Sequence, residues 1–302
     1  MRRRMRAMTG VLMLAVVCFL SACGQAQEKT EQTVDKQDWT QEQWAEYRLE
    51  VTESFLETVT EEDLAQMEMA DYLAGGEVFE EGLSLLAEIP ERDCCLYWYG
   101  SEGHVPVLRW KGQWLICANG EISMAPWRAM PEMICCDYDE DGTEEILIRG
   151  LAGYGSGFLV EALSVVEESA GVCHAQRYDA YLDEVQERVI WDWKEETRTL
   201  HVKVDGEEQD LVWDLDPLLS YVEEEDGAKM EDPVCFQGVR FGEQVYFEQR
   251  EERIWLILDG GYQLNVGVQP RYEEQRPVLE AEVLYEEGEF RLGEIELRKS
   301  SE

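Results

Sequence analysis

Apolar residues recur along this chain with two different spacings, and the spacing changes shortly before residue 94. Up to that point they return every three or four positions, which predicts amphipathic helix. Thr40 and Gln43 have the spacing of a capping box at the start of the first helix, and Thr60 followed by three acids marks a second start. A third apolar stretch, Val78 to Ile89, stops at Pro90. These signals predict a helical segment over residues 39–90.

Beyond Cys94 apolar and polar residues alternate, which predicts β-strands. Short turns such as Lys111-Gly112, Asp205-Gly206 and Asp259-Gly260-Gly261 separate successive segments and favour antiparallel hairpins. The predicted strands are Cys94–Tyr99, Val105–Trp110, Gln113–Cys117, Glu132–Asp137, Glu145–Arg149, Phe158–Val166, Val189–Lys194, Thr199–Val204, Asp210–Leu215, Val234–Phe241, Gln244–Gln249, Arg253–Leu258, Tyr262–Val268, Val278–Tyr285 and Glu289–Leu297.

These patterns predict a mainly β protein of antiparallel sheets with a small N-terminal helical segment, α+β overall. The β region would divide near residue 175 into a module of residues 91–175 and a C-terminal module of residues 176–302. The pattern leaves open whether these form one domain or two. No segment repeats at a fixed period, so a full propeller or solenoid is not predicted.

The N-terminus has the order of parts found in a secretory signal. Four arginines precede the apolar stretch Val11–Leu20, which is about ten residues long and too short to span a bilayer. The stretch ends in Leu20-Ser21-Ala22-Cys23, which resembles the lipobox of bacterial lipoproteins. The resemblance implies a signal peptide over residues 1–22, lipidation of Cys23 and a polar tether over residues 23–38. It places the protein on the extracytoplasmic side of the cell membrane.

The chain is strongly acidic, with 66 Asp and Glu against 26 Lys and Arg and a formal net charge of −40. Loss of the four signal arginines would lower this charge to −44. Such a field repels nucleic acid, which excludes it as a partner, and it attracts cations. A 45% hydrophobic content with 10 Trp and 13 Tyr favours a packed core over disorder.

Nine cysteines are present, of which Cys18 would leave with the signal and Cys23 would carry lipid. Seven remain, so complete intramolecular pairing is impossible. No C-x-x-C occurs, and adjacent cysteines on a strand point to opposite faces, which excludes a zinc site of paired thiols. We expect mostly small buried strand residues, and one or two disulfides between strands stay open. The seven are Cys94, Cys95, Cys117, Cys135, Cys136, Cys173 and Cys235.

One segment carries a recognisable chemical pattern, D-x-D-x-D-G-x-x-E. Alternating carboxylates on a tight loop can converge on one hard cation, and a glycine allows the sharp turn that brings the following carbonyl inward. Position 12 of an EF-hand loop would fall on the apolar Ile148, and strand-like segments flank the loop, so it is not an EF-hand. The predicted calcium ligands are Asp137, Asp139, Asp141, the carbonyl of Thr143, and Glu145.

The loop resembles the strand–loop–strand calcium loop of FG-GAP and VCBS-type repeats, over about 15 residues and in a single copy. The wider stretch from Leu96 to Glu168 also resembles a domain of uncharacterised lipoproteins of Gram-positive bacteria. Those proteins join such a loop to a Gly-rich segment and a strand ending in V-x-E. The counterparts here are Gly153–Gly157 and Ser164–Glu167. The resemblance implies calcium binding and no particular activity.

These observations predict a non-enzymatic, lipid-anchored protein that presents a calcium-stabilised β domain to an envelope polymer or a protein partner. An envelope hydrolase using unidentified carboxylates stays open as an alternative. A sugar-binding module is a second alternative, because Trp191 and Trp193 would share one strand face and could stack on a sugar ring. Packing within the sheet is the commoner fate of such a pair. Catalytic motifs are not found: Tyr154 and Phe158 replace the glycines that a nucleophile elbow at Ser156 requires.

Overall fold

The computed structural model describes residues 39–70, 82–100, 105–126, 128–225, 233–251, 253–265, 267–269 and 275–300. Its helices are α1 Gln41–Leu56, α2 Glu61–Ala65, α3 Tyr181–Arg188 and α4 Asp216–Glu225. Its strands are β1 Leu83–Ile89, β2 Cys94–Tyr99, β3 Val105–Trp110, β4 Gln113–Ile116, β5 Glu132–Cys136, β6 Glu145–Gly155, β7 Phe158–Ser169, β8 Val172–Arg177, β9 Val189–Lys194, β10 Thr199–Val204, β11 Glu207–Asp214, β12 Phe236–Arg250, β13 Arg253–Leu264, β14 Gly267–Gln269, β15 Pro277–Glu286 and β16 Glu289–Lys299. The prediction of a mainly β fold of antiparallel sheets is confirmed. The predicted signal, Cys23 and the tether lie outside the described residues.

Both predicted helix starts are present. The Thr40 hydroxyl accepts a hydrogen bond from the Gln43 backbone N–H at 3.3 Å, and the Gln43 side chain accepts one from the Thr40 N–H at 2.9 Å. Thr60 and Asp63 form the same reciprocal pair at the start of α2. These bonds satisfy N–H groups that have no partner inside the helix. Among the described residues, no helix is both long and apolar enough to cross a membrane.

The strands form three sheets. β1-β2-β3-β4 is a four-stranded sheet, and β11-β10-β9 is a three-stranded one. The third has nine strands in the path β16-β15-β13-β12-β7-β6-β5, with β8 beside β7 and β14 beside β13. This sheet joins strands from both sides of residue 175, so the two stretches predicted as modules share it. Residues 40–302 cluster as one unit.

The alternation of side chains along β6 fills two cores at once. Ile146 and Ile148 pack with the β1–β4 sheet, whereas Leu147 packs on the opposite face with the strands and helices that follow residue 176. β2 alternates in the same way, because Tyr97 and Tyr99 face α1 while Leu96 faces β6. The elements therefore lie in layers, and the acidic loop leads directly into the first residues of β6, which are buried on both faces.

The predicted helical segment 39–90 is wrong at its end, because Leu83–Ile89 is strand β1 and pairs with β2. The physical reason is the burial of two adjacent leucines in different cores. Leu85 packs toward α1, and Leu86 packs toward β6. A strand directs neighbouring side chains to opposite faces, which a helix does not. The described α-helices of this segment end at Ala65.

The turn predicted at Asp259-Gly260-Gly261 is also wrong, because these residues lie inside β13. A Cβ at Gly260 would lie 2.9 Å from the Phe241 ring and 2.9 Å from Pro277 Cγ. The glycine therefore lets the neighbouring strands approach closely rather than reversing the chain. The two strands predicted on either side of this turn are joined in the single strand β13, and β14 follows it. The two strands predicted before Arg253 are likewise joined in β12.

Two side chains extend the short junction between the halves of the large sheet. β7 and β12 are paired in parallel at only two positions, Gln244 with Leu159 and Val245 with Val160. Farther along, Glu161 Oε2 accepts a hydrogen bond from the Phe247 backbone N–H at 2.8 Å. Arg149 donates to the Phe247 carbonyl. The pair satisfies both backbone groups of Phe247 where the backbone ladder has ended.

A glutamate and an arginine of helix α3 hydrogen-bond to the backbone of β16, just as Glu161 and Arg149 do to the backbone of β12. Glu184 Oε2 accepts a hydrogen bond from the Leu292 backbone N–H at 2.7 Å. Arg188 donates to the Leu292 carbonyl at 2.8 Å and also pairs with Asp205. β16 lies at the end of the strand order, so this helix covers backbone groups at an edge of the sheet.

Candidate metal centre

The acidic segment is the hairpin loop between β5 and β6. The strands are paired up to Cys136 and Glu145, so Glu145 begins β6 while residues 137–144 form the connection. Gly142 has φ +92°, which is favourable for glycine, and the chain turns sharply there. The strand–loop–strand arrangement expected from the sequence is therefore present.

Carboxylates of the loop accept hydrogen bonds from its own backbone. Asp137 accepts from the Gly142 N–H at 3.1 and 3.2 Å, and Asp139 accepts from the Asp141 N–H at 3.1 Å. Asp141 in turn accepts from the Thr143 N–H at 2.7 Å. These bonds hold the loop in a tight curve.

Three of the five predicted ligands come together. Asp137, Asp139 and Glu145 each offer a carboxylate oxygen, and the three oxygens lie within 4.8 Å of one another. Asp141 is outside this group, with its Oδ1 on the Thr143 N–H. The role of the Thr143 carbonyl stays a prediction.

The cluster is electrostatically unfavourable without a cation. Glu145 is only 3% exposed, and its Oε2 accepts a hydrogen bond from the Tyr138 N–H at 2.7 Å. Burial, reinforced by the charges of Asp139, Asp141 and Asp137, raises the pKa of Glu145 to about 7 despite that bond. Burial also raises the pKa of Asp139, to which the neighbouring acids contribute. An oxygen-binding cation would favour the ionised form of both groups.

The basic residues near this loop pair with acids outside the cluster. Arg92 pairs with Glu144 at 2.5 Å, and both side chains are more than 40% exposed. Glu144 is not a member of the three-carboxylate group. Arg253, which lines the cavity beside Asp137 and Asp139, pairs with Glu282 at 2.8 Å. Neither of these ion pairs includes a carboxylate of the three-carboxylate group.

The loop is tied to the C-terminal half of the molecule by a residue that sequence reasoning missed. The Tyr138 hydroxyl donates to the Val283 carbonyl of β15 at 2.5 Å. A cavity of about 350 Å³ lies between the loop and β15, and Asp137 and Asp139 line it together with Tyr285. Tyr138 is the first x of the motif, where any residue is allowed, so the spacing could not have identified it.

Of the other sequence candidates, the two tryptophans have packing roles. Trp193 stacks at a tilt on Phe236 with ring centroids 5.0 Å apart, and Trp191 meets Trp213 edge-on at 5.2 Å. Both are half-buried. The Gly-rich segment forms the end of the β6–β7 hairpin, where a Cβ at Gly155 would overlap the Phe158 ring.

The seven cysteines beyond the signal all have free thiols. Five lie on strands as expected, namely Cys94, Cys95, Cys135, Cys136 and Cys173. Cys117 is buried just after β4, whereas Cys235 is exposed. Among the described residues, the three carboxylates are the one group that could hold a metal ion, so none of these cysteines forms part of a metal cluster there.

Comparison with known proteins adds no assignment to this geometry. No protein-family model, no curated protein and no solved structure matches the chain.

Proposed function

We propose that this chain is an extracytoplasmic protein, anchored at the cell membrane by lipid on Cys23, whose β domain is stabilised by calcium and serves in binding at the cell envelope. The observation that supports it best is the convergence of the Asp137, Asp139 and Glu145 carboxylates within 4.8 Å. The proposal gives the chain no catalytic role.

The donor chemistry favours calcium. All the candidate donors are oxygens, which excludes a preference for soft metals. Calcium accepts roughly six to eight oxygens in flexible geometry, so three carboxylates can be completed by Asp141, the Thr143 carbonyl and water. Magnesium requires near-ideal octahedral geometry and gives up water reluctantly, which fits a preformed protein loop less well.

Calcium bound here would act on stability. It would replace the mutual repulsion of three carboxylates by attraction and fix the ends of β5 and β6. Because Tyr138 also reaches β15, the ion would strengthen the link between loop and large sheet. Binding to the native state alone stabilises it by about 2.7 kcal/mol when free calcium is a hundredfold above the dissociation constant.

The proposed location suits such a site. Extracellular calcium modules bind with dissociation constants on the order of 10⁻⁴ to 10⁻³ M, and calcium outside the cytoplasm is abundant enough to fill them. The lipobox supplies the location through its resemblance, and the acidic surface suits a compartment rich in cations.

Calorimetry of the full chain carrying Cys23→Ser tests the metal site without detergent. We expect calcium to raise Tm by about 5 to 10 °C over chelator for a chain of this size. Asp139→Ala should abolish this increase. Glu140→Gln is the matched control, because it removes a charge from the same loop but from outside the three-carboxylate group. An equal Tm with calcium and chelator would refute the site.

Lipidation is tested separately in cells. Palmitate labelling and partition into detergent should be lost in Cys23→Ser and retained in Cys18→Ser, which changes a cysteine of the predicted signal. Retention of label by Cys23→Ser would refute the anchor while leaving the calcium result unaffected.

A further inference from the structure

A groove of about 480 Å³ lies between helix α3 and strand β12. It shares no residue with the cavity beside the acidic loop. Its volume is within the range of small-molecule sites, roughly 300 to 1,000 Å³. The groove is therefore a second candidate site, separate from the acidic loop.

The floor of the groove is apolar and held firmly. Trp191 and Phe241 contribute rings whose centroids are 6.4 Å apart with planes 36° apart. Trp191 is supported from below by Trp213, which is fully buried. Leu182 and Val239 extend the apolar lining from α3 and β12, and both are half-buried. These side chains give the groove an apolar part that can contact the apolar body of a ligand.

An irregularity in β12 shapes this wall. The pairing of β12 with β13 is interrupted between Arg240 and Gln244. Gly242 within the interruption has φ +102°, and a Cβ there would lie 3.1 Å from Leu182 Cδ1. The bulged segment therefore packs directly on α3, and bulges commonly redirect side chains next to binding sites.

One arginine at the groove has no contact with an acid or a ring of the described part of the protein itself. Arg240 is exposed and is the one arginine of the described ranges that forms no ion pair, hydrogen bond or aromatic contact. The amides of Gln186 and Gln263 are the other polar groups of the lining. In a chain with 66 acidic residues, an arginine left without a carboxylate partner above an apolar floor is complementary to an anion. The remote negative charge is screened beyond about 8 Å at physiological ionic strength.

We propose that this groove binds a small amphipathic anion, with its apolar body on Trp191 and Phe241 and its acidic group on Arg240. The two amides donate to or accept from polar groups of the same ligand. The site is independent of calcium, and its function does not depend on the proposed role of the acidic loop.

A pair of fluorescent probes separates the two parts of this recognition. Anilinonaphthalene sulfonate has an apolar body and an anionic group, and phenylnaphthylamine has the same rings without the charge. On the full chain with Cys23→Ser, we expect saturable binding of the sulfonate at one site. Arg240→Gln should weaken the sulfonate by about tenfold and change the affinity for phenylnaphthylamine by less than roughly twofold.

Two further variants complete the test. Arg291→Gln removes an exposed arginine that pairs with Glu286 outside the groove, and it should leave both affinities unchanged. Gln186→Trp, at an exposed helix position on the rim, should obstruct the groove and weaken both probes. An unaltered thermal melt for each variant shows that the probes do not report unfolding.

Two results would overturn the proposal. One is the absence of saturable sulfonate binding, and the other is equal sulfonate affinity in native protein and Arg240→Gln. Each measurement is repeated in calcium and in chelator. A probe result that is the same in both conditions, together with an unchanged Tm, would refute the calcium site and leave the groove intact.

Discussion

Two glutamates of this protein, the buried Glu145 and the half-buried Glu161, have opposite electrostatic surroundings. Glu145 and Glu161 each accept a hydrogen bond from a backbone N–H, at 2.7 and 2.8 Å, and burial raises the pKa of both. The charge of Arg149 lowers the pKa of Glu161 and so partly offsets the effect of burial. At Glu145 the charges of neighbouring aspartates raise the pKa further.

The difference indicates what each site needs from outside. Glu161 and Arg149 together satisfy Phe247, so that junction is complete within the chain. The acidic loop has the same kind of backbone support, but the charges that act on the pKa of Glu145 are those of aspartates, and they raise it. A buried acid that lacks an internal cation requires protonation or an external cation. The contrast between Glu145 and Glu161 therefore supports the proposal that the acidic loop binds calcium.

Removing the internal cation should have the largest effect. Arg149→Ala leaves Glu161 without its compensating charge and the Phe247 carbonyl without its donor, so we expect a loss of about 2 to 3 kcal/mol in the free energy of unfolding. Urea denaturation measures it, with Arg291→Ala as the control for an exposed pair worth about 0 to 1 kcal/mol. Restoration of stability by calcium would contradict the separation of the two sites.

Removing the charge of Glu145 should raise the free energy of unfolding in calcium-free buffer, whereas removing Arg149 should lower it. Glu145→Gln retains an acceptor for the Tyr138 N–H and removes a repelling charge, so we expect a gain of about 1 to 2 kcal/mol at pH 8. The same variant should lose the stabilisation by calcium. Denaturation with and without calcium measures both changes, and Glu161→Gln should keep the calcium response. Destabilisation of calcium-free Glu145→Gln would show that the loop acids do not repel one another.

The pH dependence of the calcium-free protein should follow from the same glutamate. Since the pKa of Glu145 is raised from 4.5 to about 7, the native state binds more protons than the unfolded state between these values. The free energy of unfolding therefore falls as pH rises through this window. Saturating calcium binds the ionised carboxylate and should remove the fall. Glu145→Gln should reduce the slope in calcium-free buffer, and a slope equal to wild type would contradict the assignment.

The smallest effect should come from the link between the loop and β15. Tyr138→Phe removes the hydroxyl that donates to the Val283 carbonyl, and we expect a loss of about 1 kcal/mol. Because the ring remains, packing is preserved. Titration calorimetry should also show weaker calcium binding than in wild type. Tyr246→Phe, which removes a hydroxyl bonded to Gln244 at 3.1 Å, is the control and should leave calcium affinity unchanged.

The sequence predicts those parts of the fold that depend on nearby residues. The bounds of β2, β3, β9 and β10 agree with the alternation of apolar residues, and Thr40 begins α1 as its capping box predicts. β1 was missed because its two leucines face cores built from distant strands. The spacing of the acidic motif likewise brings Asp137, Asp139 and Glu145 together, since all three lie on one hairpin.

Contacts between distant residues could not be predicted in this way. Tyr138 and Val283 are 145 positions apart, and Glu161 and Phe247 are 86 apart. No local pattern marks either pair, because each depends on how β7, β12 and β15 are ordered in the sheet. The groove beside Arg240 has the same origin, since its walls come from α3, β9, β12 and β13.

The contact of α3 with β16 also has a consequence for behaviour at high local concentration. An uncovered edge strand offers unpaired backbone groups to which a strand of another molecule can add. Glu184 and Arg188 already occupy the N–H and carbonyl of Leu292, and Arg188 is held by Asp205. Molecules crowded side by side would therefore meet a blocked, charged edge at this point, which limits aggregation by strand addition there.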